Sequence, residues 1–369
     1  MMSNNKGNET VLTLDAGGTN FVFSAVCHNE EIGKPVILKA VTTDTEGCLA
    51  TLVQGFTTVK QQLSEEPVAI SFAFPGPADY AHGVIGDLPN FPSFRGGVPL
   101  GPYLESVFGI PVFIHNDGNL FAYGEALAGA LPRVNKALEE KGSQRRYKNL
   151  IGVTLGTGFG CGVVIDKVLL TGDNGCGGDT WCMRNRMNPS VIAEEGVSIR
   201  AVRRVYAREA GIIFDAAPEP FDIYKIAKGD IEGDKEAAIK AWDELAIALA
   251  DVLANAITLI DGLVVIGGGL SGAWPMFMPR LIEKMNEPFT DFNGNELSRM
   301  EINAFNLMEP DAMIKFTEAK GKMIKVPFSD QEVWYDPHKN IGVAVTKLGT
   351  SSAVAIGAYA YAIHQLGLR

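Results

Sequence analysis

The sequence predicts an α/β protein of two domains, and three observations support this fold class. The chain has 369 residues, which suggests two domains at about 100 to 200 residues each. Apolar runs of strand length alternate with segments of helical periodicity through the first third of the chain. A strand, a turn rich in glycine and threonine, and a second strand occur in both halves, at residues 11–26 and 149–170. This repetition supports the division into two domains.

The predicted elements follow from periodicity and from the residues that interrupt it. Leu52, Phe56 and Val59 have helical spacing, and an apolar strand is halted at Pro75. Strands are predicted at residues 11–14, 21–26, 68–74, 111–115, 149–155, 163–170 and 262–266. Helices are predicted at residues 51–63, 120–131, 189–210, 234–259 and 351–366, and a charged connector at residues 131–149.

Residues 285–348 form a longer segment than we expect between the third glycine-rich segment, at 267–269, and the last helix, at 351–366. Strand-like alternation at residues 322–327, 332–335 and 340–347 predicts an added hairpin unit there. A lid, a dimer contact and a neutral decoration all fit this segment, and decoration is the default because surface insertions cost little free energy.

Composition and charge exclude several classes of protein. Hydrophobic residues make up 46% of the chain and charged residues 20%, which excludes a disordered, collagen-like or disulfide-stapled chain. The 32 Lys and Arg against 43 Asp and Glu give a net charge of −11. Binding to a nucleic-acid backbone requires the opposite charge. We therefore expect no nucleic-acid partner.

Cysteine usage and hydropathy indicate a cytoplasmic protein. Five irregularly spaced cysteines fit reduced thiols, and residues 1–10 contain no apolar signal core. The most apolar stretch, residues 246–269, is interrupted by Asp251, Asn255 and Asp261. It predicts a buried helix followed by a buried strand, so we expect no membrane contact.

Glycine-rich turns at residues 15–20, 156–162 and 267–269 each follow an apolar strand. Glycine allows backbone N–H groups to approach a phosphate closely. The Walker pattern is absent, and the spacing at residues 156–162 differs from that of dinucleotide-binding loops. A single turn of this kind is more often a plain hairpin, whereas three at strand ends favour phosphate binding.

Two carboxylates lie beside strand ends. Asp15, next to the first turn, fits a site where Mg²⁺ or its waters separate the carboxylate from phosphate; the alternative is a turn residue that binds its own backbone. Asp117 lies at a strand's carboxyl end, where open α/β sheets place ligands. It can accept a hydroxyl proton, and Asn116 can bind sugar hydroxyls. The alternative for Asn116 and Asp117 is that they cap the helix that follows.

Taken together and in order, six blocks of sequence resemble the ROK family of bacterial sugar kinases and repressors. The blocks are Asp15-Ala16-Gly17-Gly18-Thr19-Asn20, Phe74-Pro75-Gly76-Pro77, Leu88-Pro89-Asn90-Phe91-Pro92, His115-Asn116-Asp117-Gly118-Asn119, Leu155-Gly156-Thr157-Gly158-Phe159-Gly160 and Ile266-Gly267-Gly268-Gly269. The resemblance implies an actin-like sugar-kinase fold, in which two domains of ribonuclease H type close over ATP and a hexose. It also implies transfer of the ATP γ-phosphoryl group to a sugar hydroxyl, usually the 6-hydroxyl.

The resemblance further implies domain bounds, ligands and residue roles. Residues 1–130, completed by the helix at 351–369, would form one domain, and residues 131–350, with an insertion around 285–348, the other. Asp117 would be the general base, Asp15 would bind Mg²⁺ indirectly, and the protein would be a homodimer. The implied sugar-binding residues are Gly76, Asn90, Asn116, Asp117, Asp179 and Glu194. The implied nucleotide-binding residues are Asp15, Gly17, Gly18, Thr19, Asn20, Gly156, Thr157, Gly158, Gly160, Gly267, Gly268 and Gly269.

The sequence departs from the family in the segment that follows the second turn. Family kinases carry a Glu-x-Gly-His segment and a cysteine cluster that bind structural zinc, whereas this chain has Asp179, Thr180, Trp181 and Cys182 and no cluster. Cys176 and Cys182 are two thiolates where a closed zinc site needs four ligands, so we expect no structural zinc. Asp179 is shorter than glutamate, and Cys182 lacks the imidazole hydrogen bonds of histidine. The sequence therefore does not determine which sugar is the substrate.

A second functional class is a sugar-binding sensor or regulator that kept the fold without efficient chemistry. The altered segment around Asp179 and Cys182 is compatible with it. Family repressors carry a helix-turn-helix ahead of the first turn, but only fourteen residues precede Asp15, which disfavours a repressor. The groups that perform phosphoryl transfer are retained, and we therefore expect a hexose kinase of the glucokinase or fructokinase kind.

Overall fold

A computed structural model of the chain describes residues 9–16, 19–88, 92 and 94–368. Its contacts divide the chain into two units. Unit 1 comprises Met1–Gly129, Lys167–Gly178 and Leu348–Arg369, and unit 2 comprises Ala130–Asp166 and Asp179–Lys347. The segment Lys167–Gly178 groups with unit 1 although its neighbours in sequence belong to unit 2.

The described residues form alternating strands and helices. The strands are β1 (Val11–Ala16), β2 (Asn20–Cys27), β3 (Glu30–Lys39), β4 (Ala69–Ala73), β5 (Ala78–Asp79), β6 (Val84–Ile85), β7 (Val112–His115), β8 (Leu150–Leu155), β9 (Phe159–Ile165), β10 (Val168–Leu169), β11 (Leu263–Gly267), β12 (Phe289–Thr290), β13 (Glu296–Leu297), β14 (Asn303–Asn306), β15 (Lys322–Lys325), β16 (Glu332–Tyr335) and β17 (Asn340–Val345). The helices are α1 (Thr45–Lys60), α2 (Leu100–Phe108), α3 (Asp117–Leu127), α4 (Ala130–Glu140), α5 (Glu194–Val197), α6 (Ile199–Glu209), α7 (Pro220–Lys228), α8 (Lys235–Ile260), α9 (Trp274–Asn286), α10 (Pro310–Thr317) and α11 (Thr350–Gln365). Short 3₁₀ helices lie at Thr180–Cys182, Phe214–Ala216 and Ser271–Ala273.

Unit 1 is built on a mixed sheet in the order β3-β2-β1-β4-β7. The first three strands are antiparallel neighbours, and β4 and β7 continue parallel to β1. On one face, Phe56 of α1 packs edge-on against Phe23 and close to Phe72. On the other face, α11 places Tyr361 against Phe113. Helices therefore cover both faces, and the carboxyl ends of β1, β4 and β7 lie at one edge of the sheet.

In unit 1, α3 and α11 pack closely because glycines face each other where the helices cross. A Cβ on Gly124 would lie 2.0 Å from the carbonyl oxygen of Ala353, and a Cβ on Gly357 would lie 1.9 Å from that of Leu120. Each helix thus contacts the backbone of the other. This packing sets the position of α3, the helix that begins with Asp117.

Unit 2 is likewise built on a mixed sheet, and its strands follow one another in the order β9-β8-β11-β17-β14. The pair β8 and β9 is antiparallel, and β11, β17 and β14 continue parallel to β8. The long helix α8 begins after Asp234, whose side chain accepts a hydrogen bond of 2.9 Å from the N–H of Ala237. Trp242 of α8 stacks on Phe277 of α9 inside the unit.

Several predicted bounds were wrong, each for a local reason. The helix predicted at 51–63 begins earlier, at Thr45, because Asp44 accepts hydrogen bonds from two N–H groups of its first turn. The helix predicted at 120–131 is α3, which begins at Asp117 and ends at Leu127. The connector predicted at 131–149 is half wrong, since α4 occupies its beginning and buries an apolar stripe.

Around the second glycine turn the predictions also need correction. The turn predicted at 156–162 covers only residues 156–158, because Gly160 and Gly162 pair with β8 in the strand ladder. The strand predicted at 163–170 is the end of β9 followed by the short strand β10. The helix predicted at 189–210 is α5 and α6, which are separated by the extended backbone of Ser198.

The segment 285–348 is only partly an addition. The two strands β15 and β16 form an antiparallel hairpin with exposed side chains, as predicted. The third predicted strand is instead β17, whose residues are buried in the sheet of unit 2 between β11 and β14. The alternation that suggested an outer hairpin therefore marks a core strand, because its apolar residues are buried on both faces.

Candidate active site

In unit 1, Asn116 and Asp117 follow β7 directly, where the sequence predicts the passage from a strand to a helix. Asn116 caps the helix, and its Oδ1 accepts a hydrogen bond of 2.8 Å from the N–H of Gly118. Asp117 is the first residue of α3, and its Oδ1 accepts from the same N–H at 2.8 Å. The capping role thus belongs mainly to Asn116, and the second carboxylate oxygen of Asp117 is available for other partners.

The environment of Asp117 disfavours its charged form. The side chain is exposed, but surrounding protein removes much of the water that would solvate the carboxylate, and this raises its pKa above the ordinary 3.8. The hydrogen bond from Gly118 lowers the pKa in part, and the negative charge of Asp15 raises it further. An accessible carboxylate with a raised pKa is suited to accept a proton.

His115 packs beneath the residues that lead into α3 and accepts a hydrogen bond from them. Its ring is buried, stacks on Tyr80 at 5.3 Å between centroids and meets Tyr361 edge-on at 5.1 Å. The N–H of Asn116 donates a hydrogen bond of 2.9 Å to Nδ1 of His115. Burial lowers the pKa of His115 to about 4, so the ring is neutral at physiological pH. The sequence favoured a packing role for His115, and its packing also fixes the backbone before Asp117.

Gly76 lies next to the same group. Tyr80 donates a hydrogen bond of 3.0 Å from its hydroxyl to the carbonyl oxygen of Phe74, and a Cβ on Gly76 would lie 3.0 Å from that hydroxyl. Unit 1 thereby brings Gly76, Asn116 and Asp117 together through Tyr80 and His115. Asn90, a predicted sugar-binding residue, lies outside the described residues.

The first glycine turn is described only at its ends. Asp15 is exposed near the end of β1, and Thr19 and Asn20 are exposed at the start of β2. Gly17 and Gly18 lie outside the described residues. The charge of Asp15 contributes to the raised pKa of Asp117, which places the two predicted carboxylates within electrostatic reach of each other in unit 1.

In unit 2, the turn at residues 156–158 is held from one side. The N–H of Ile199 donates a hydrogen bond of 2.8 Å to the carbonyl oxygen of Gly156. Nη1 of Arg200 donates one of 2.9 Å to the carbonyl oxygen of Thr157. Glu194 accepts a hydrogen bond of 2.9 Å from the N–H of Phe159 and one of 2.5 Å from Nη2 of Arg200. The first residues of α5 and α6 therefore hold this turn.

These hydrogen bonds determine where the N–H groups of the turn point. In a planar trans peptide, the carbonyl oxygen and the N–H point in opposite directions. Because the carbonyl oxygens of Gly156 and Thr157 face α6, the N–H groups of Thr157 and Gly158 face away from it. Neither N–H has an acceptor within the part of the chain that the structure describes. Two successive N–H groups that point to the same side of a turn are donors of the kind that bind anions in proteins.

The third glycine segment lies beside this turn. Gly267 ends β11, which is the parallel neighbour of β8. Gly268 has a φ of +84° and packs so closely that a Cβ would lie 2.3 Å from the carbonyl oxygen of Leu155. Gly269 is exposed. Unit 2 thus brings together the predicted nucleotide-binding segments 156–158 and 267–269, whereas Gly160 lies within β9.

Comparisons with known proteins agree with this arrangement. The model of the ROK family matches residues 11–304. This chain belongs to the ROK family. It is 30% identical to the glucokinase of Thermotoga maritima over 74% of this chain and 86% of that protein. It is 27% identical to the N-acetyl-D-glucosamine kinase of Photobacterium profundum over 73% of this chain and 88% of that protein.

Among solved structures, a glucokinase from Parabacteroides distasonis is 54% identical, with a TM-score of 0.88 over 99% of both chains. The family predicted from the six sequence blocks is therefore confirmed. The predicted fold, an α/β sugar-kinase fold of the actin-like type, is confirmed as well.

The segment between residues 179 and 194 is where the sequence predicts a departure from the family motif. Asp179 is exposed, and its carbonyl oxygen accepts a hydrogen bond of 3.0 Å from Sγ of Cys182. The chain then returns through the pairing of Arg184 with Ile192 to the start of α5 at Glu194. A shallow cavity of about 610 Å³ lies here, lined by Cys182, Arg184, Glu195 and residues 189–192.

The cysteines of the described chain are all free thiols. Cys176 and Cys182 are exposed, whereas Cys161 is buried. Burial raises the pKa of Cys161 to about 12. Within the described residues, no three or more His, Cys, Asp or Glu side chains lie together in a way that could hold a metal ion. No described helix is both long enough and apolar enough to cross a membrane.

The structure also shows residues that sequence reasoning missed. Arg200 and the N–H of Ile199 hold the 156–158 turn, and Tyr80 supports His115. The available signal for Arg200 was the acidic pair at 194 and 195 shortly before it, which indicates an ion pair. That signal does not reveal the bond to Thr157, which requires the turn to lie beside α6.

Proposed function

We propose that this chain is an ATP-dependent hexose kinase that transfers the γ-phosphoryl group of ATP to a hexose hydroxyl, the 6-hydroxyl of the sugar. The observation that carries the proposal is Asp117, an accessible carboxylate with a raised pKa at the carboxyl end of β7. The relatives named glucokinase and N-acetyl-D-glucosamine kinase support the same reaction class.

Asp117 is the general base of the proposed reaction. Its carboxylate accepts the proton of the attacking hydroxyl as the bond to phosphorus forms. Its pKa is raised, so it takes this proton more readily than an ordinary aspartate. The side-chain amide of Asn116 is positioned by the hydrogen bond that its Oδ1 accepts from the N–H of Gly118, and with Gly76 it orients the sugar. Asn90, Asp179 and Glu194 complete the proposed set of sugar-binding residues.

The glycine turns bind the nucleotide. The outward N–H groups of Thr157 and Gly158 donate hydrogen bonds to phosphate oxygens, and such fixed donors stabilise negative charge that develops during transfer. The first turn contributes Gly17, Gly18, Thr19 and Asn20. Gly160 and the segment 267–269 complete the proposed nucleotide site.

The residues present fit a divalent cation, which we take to be Mg²⁺. Asp15 and Asp117 are both exposed carboxylates, and the charge of Asp15 raises the pKa of Asp117. A cation bound near Asp15 would offset the repulsion between the two carboxylates. Mg²⁺ binds carboxylate and phosphate oxygens and usually keeps several waters, and it would neutralise phosphate charge in the reaction. Asp15 would hold it, directly or through water.

Further proposals follow from the ROK resemblance. We propose that the protein acts in the cytoplasm as a homodimer. We also propose that residues 1–130 with 351–369, and residues 131–350, are two domains of ribonuclease H type. The insertion proposed around 285–348 is then limited to the parts of that segment outside β14 and β17. Light scattering during gel filtration measures the dimer directly, and a monomer at micromolar concentration would contradict that part.

The decisive experiment is coupled ADP release with Mg·ATP across glucose, mannose, fructose, allose, glucosamine, N-acetylglucosamine and N-acetylmannosamine. Turnover on one of these hexoses supports the kinase, and its loss in the Asp117→Asn variant supports the assigned base. Silence across the panel, with sugar binding still detectable by calorimetry, would contradict the kinase and favour a non-catalytic sugar sensor on the same fold.

A further inference from the structure

Arg200 makes three contacts that join the start of α6 to the proposed phosphate site. Its Nη1 donates a hydrogen bond of 2.9 Å to the carbonyl oxygen of Thr157. Its Nη2 bonds Glu194 at 2.5 Å, and its Nε donates to Glu195 at 2.8 Å. The side chain of Arg200 is 34% exposed. The planar guanidinium has donors in fixed directions. Two carboxylates accept hydrogen bonds from it, and the turn accepts a third through the carbonyl oxygen of Thr157.

We propose that Arg200 is a positioning residue for the phosphates of the nucleotide. This inference rests on the proposed function, because it assigns the 156–158 turn to the nucleotide. Arg200 does not touch the nucleotide itself. It fixes the peptide between Thr157 and Gly158, so that the N–H of Gly158 points outward before any ligand arrives.

The physical reason is the cost of ordering a glycine-rich turn. Gly156 and Gly158 flank Thr157, and glycine backbones lose more conformational freedom than any other on being fixed. A turn that rotated the 157–158 peptide would direct its carbonyl oxygen, rather than its N–H, toward an anion. Because Arg200 donates a hydrogen bond to the carbonyl oxygen of Thr157, that rotation would break a hydrogen bond from a charged donor. Donors that are already aligned bind phosphate with a smaller entropic penalty.

Glu194 extends the same constraint to the next residue. One of its oxygens accepts from the N–H of Phe159 at 2.9 Å, and the other accepts from Arg200. A Cβ on Gly158 would lie 2.9 Å from that first oxygen. Glu194, predicted from the resemblance to bind sugar, is thus part of the structure that holds the turn. Its four acceptor positions leave room for a sugar hydroxyl as well.

Arg204, one helical turn further along α6, provides a matched control. Its Nη2 bonds Glu195 at 2.5 Å, and its Nη1 bonds the carbonyl oxygen of Glu195 at 3.2 Å. None of the contacts observed for Arg204 reaches the turn. Arg204→Met therefore removes the same charge and an ion pair with a shared carboxylate but leaves the hydrogen bond to Thr157 intact.

The test compares Arg200→Met with Arg204→Met in the full-length protein. We measure binding of Mg·ADP and of the preferred hexose separately by calorimetry, KM for ATP and for the hexose, and the melting temperature. We expect Arg200→Met to weaken Mg·ADP binding and raise the KM for ATP at least tenfold. Hexose affinity should fall much less, because Glu194, a proposed sugar-binding residue, loses its ion pair with Arg200 but keeps its hydrogen bond from the N–H of Phe159. Arg204→Met should keep both affinities, although its melting temperature falls by a similar amount.

Two further variants keep the proposal testable if Arg200→Met folds poorly. Arg200→Lys retains the charge but not the planar fork, and we expect an intermediate loss of Mg·ADP affinity. Ile199→Pro removes the N–H that binds the carbonyl oxygen of Gly156 and also replaces the half-buried isoleucine side chain, at the first position of α6, where proline is tolerated. It should also weaken Mg·ADP binding without changing hexose affinity.

The outcomes separate this inference from the proposed function. Equal nucleotide affinity in Arg200→Met and Arg204→Met would overturn the positioning role, as would an equal loss of hexose and nucleotide affinity. If the wild-type protein binds Mg·ADP and Arg200→Met weakens that binding, but no sugar is phosphorylated, the proposed function fails and the role of Arg200 stands. A wild-type protein that does not bind Mg·ADP would overturn both.

Discussion

The backbone N–H of Asn116 donates a hydrogen bond of 2.9 Å to Nδ1 of His115, a buried ring held between Tyr80 and Tyr361. A backbone donor at Nδ1 requires a lone pair there, so the neutral ring carries its proton on Nε2. The imidazole therefore acts as a fixed acceptor that orients the peptide leading into Asp117.

Replacing this acceptor should reduce catalysis more than its position in the core would suggest. His115→Phe keeps the aromatic packing but leaves the N–H of Asn116 without its partner, whereas His115→Asn can place Oδ1 where Nδ1 was. We expect His115→Phe to lower kcat about tenfold or more, since a misaligned base slows proton transfer. His115→Asn should recover most of that loss. Equal kcat in the two variants would contradict the role.

The same residue makes stability depend on pH. Burial lowers the pKa of His115 from 6.5 to about 4, so between these values the unfolded chain binds a proton that the folded chain does not. Stability therefore falls as pH is lowered through 6.5, by about 3 kcal/mol near pH 4 if the whole shift is expressed. Denaturant unfolding at pH 7.5 and 4.5 should show a smaller pH effect in His115→Asn than in the wild type. An identical pH effect would contradict the shift.

Asp117→Asn should separate activity from stability. The amide keeps the oxygen that accepts from Gly118 and loses the charge, so we expect kcat to fall at least about 100-fold while sugar affinity is kept. The raised pKa means that the ionised carboxylate destabilises the ligand-free folded state at neutral pH. The variant should therefore melt at a higher temperature at pH 8. A lower melting temperature would contradict the raised pKa.

The pH dependence of activity tests the same group in the wild type. Because Asp117 must be ionised to accept the hydroxyl proton, kcat/KM should fall as pH is lowered through its raised pKa. The acid limb should lie at higher pH than for an ordinary aspartate of pKa 3.8. An acid limb at or below pH 4 in wild-type turnover would contradict Asp117 as the base.

The crossing of α3 and α11 should not tolerate a methyl group. In Gly357→Ala, the new Cβ would lie 1.9 Å from the carbonyl oxygen of Leu120, so the helices must separate. We expect a loss of about 3 kcal/mol in the free energy of unfolding, together with lower kcat because α3 carries Asp117. Ser352→Ala, on the exposed face of α11, should change stability by less than about 0.5 kcal/mol. Equal stability of the two variants would contradict the packing.

Thiol reactivity should follow burial. Cys176 and Cys182 are exposed, whereas the pKa of Cys161 is raised to about 12 and that of Cys48 to about 11 by burial. At pH 8, iodoacetamide should modify Cys176 and Cys182 first, as measured by peptide mass mapping. Modification of Cys161 in the folded protein would contradict its burial. If Cys176 and Cys182 resist iodoacetamide and become reactive after a chelator is added, the protein has a zinc site, contrary to our expectation.

Much of this protein follows from local sequence. The turn at residues 156–158 is marked by glycines that follow an apolar strand, and the pair Asn116 and Asp117 is marked by its place between a strand and a helix. Such features depend on near neighbours in the chain, because strand ends and helix caps are set by adjacent residues. The six blocks in order were sufficient to predict the ROK family and its fold.

Other features depend on residues that are distant in sequence. The sequence alone could not distinguish β17 from an added hairpin, because an apolar strand is a core strand only if neighbours pair with both of its edges. It could not show that Arg200 reaches Thr157, 43 residues away, or that Asp15 raises the pKa of Asp117. Hydrogen bonds and electrostatic interactions act through space, and only the tertiary structure brings these groups within their range.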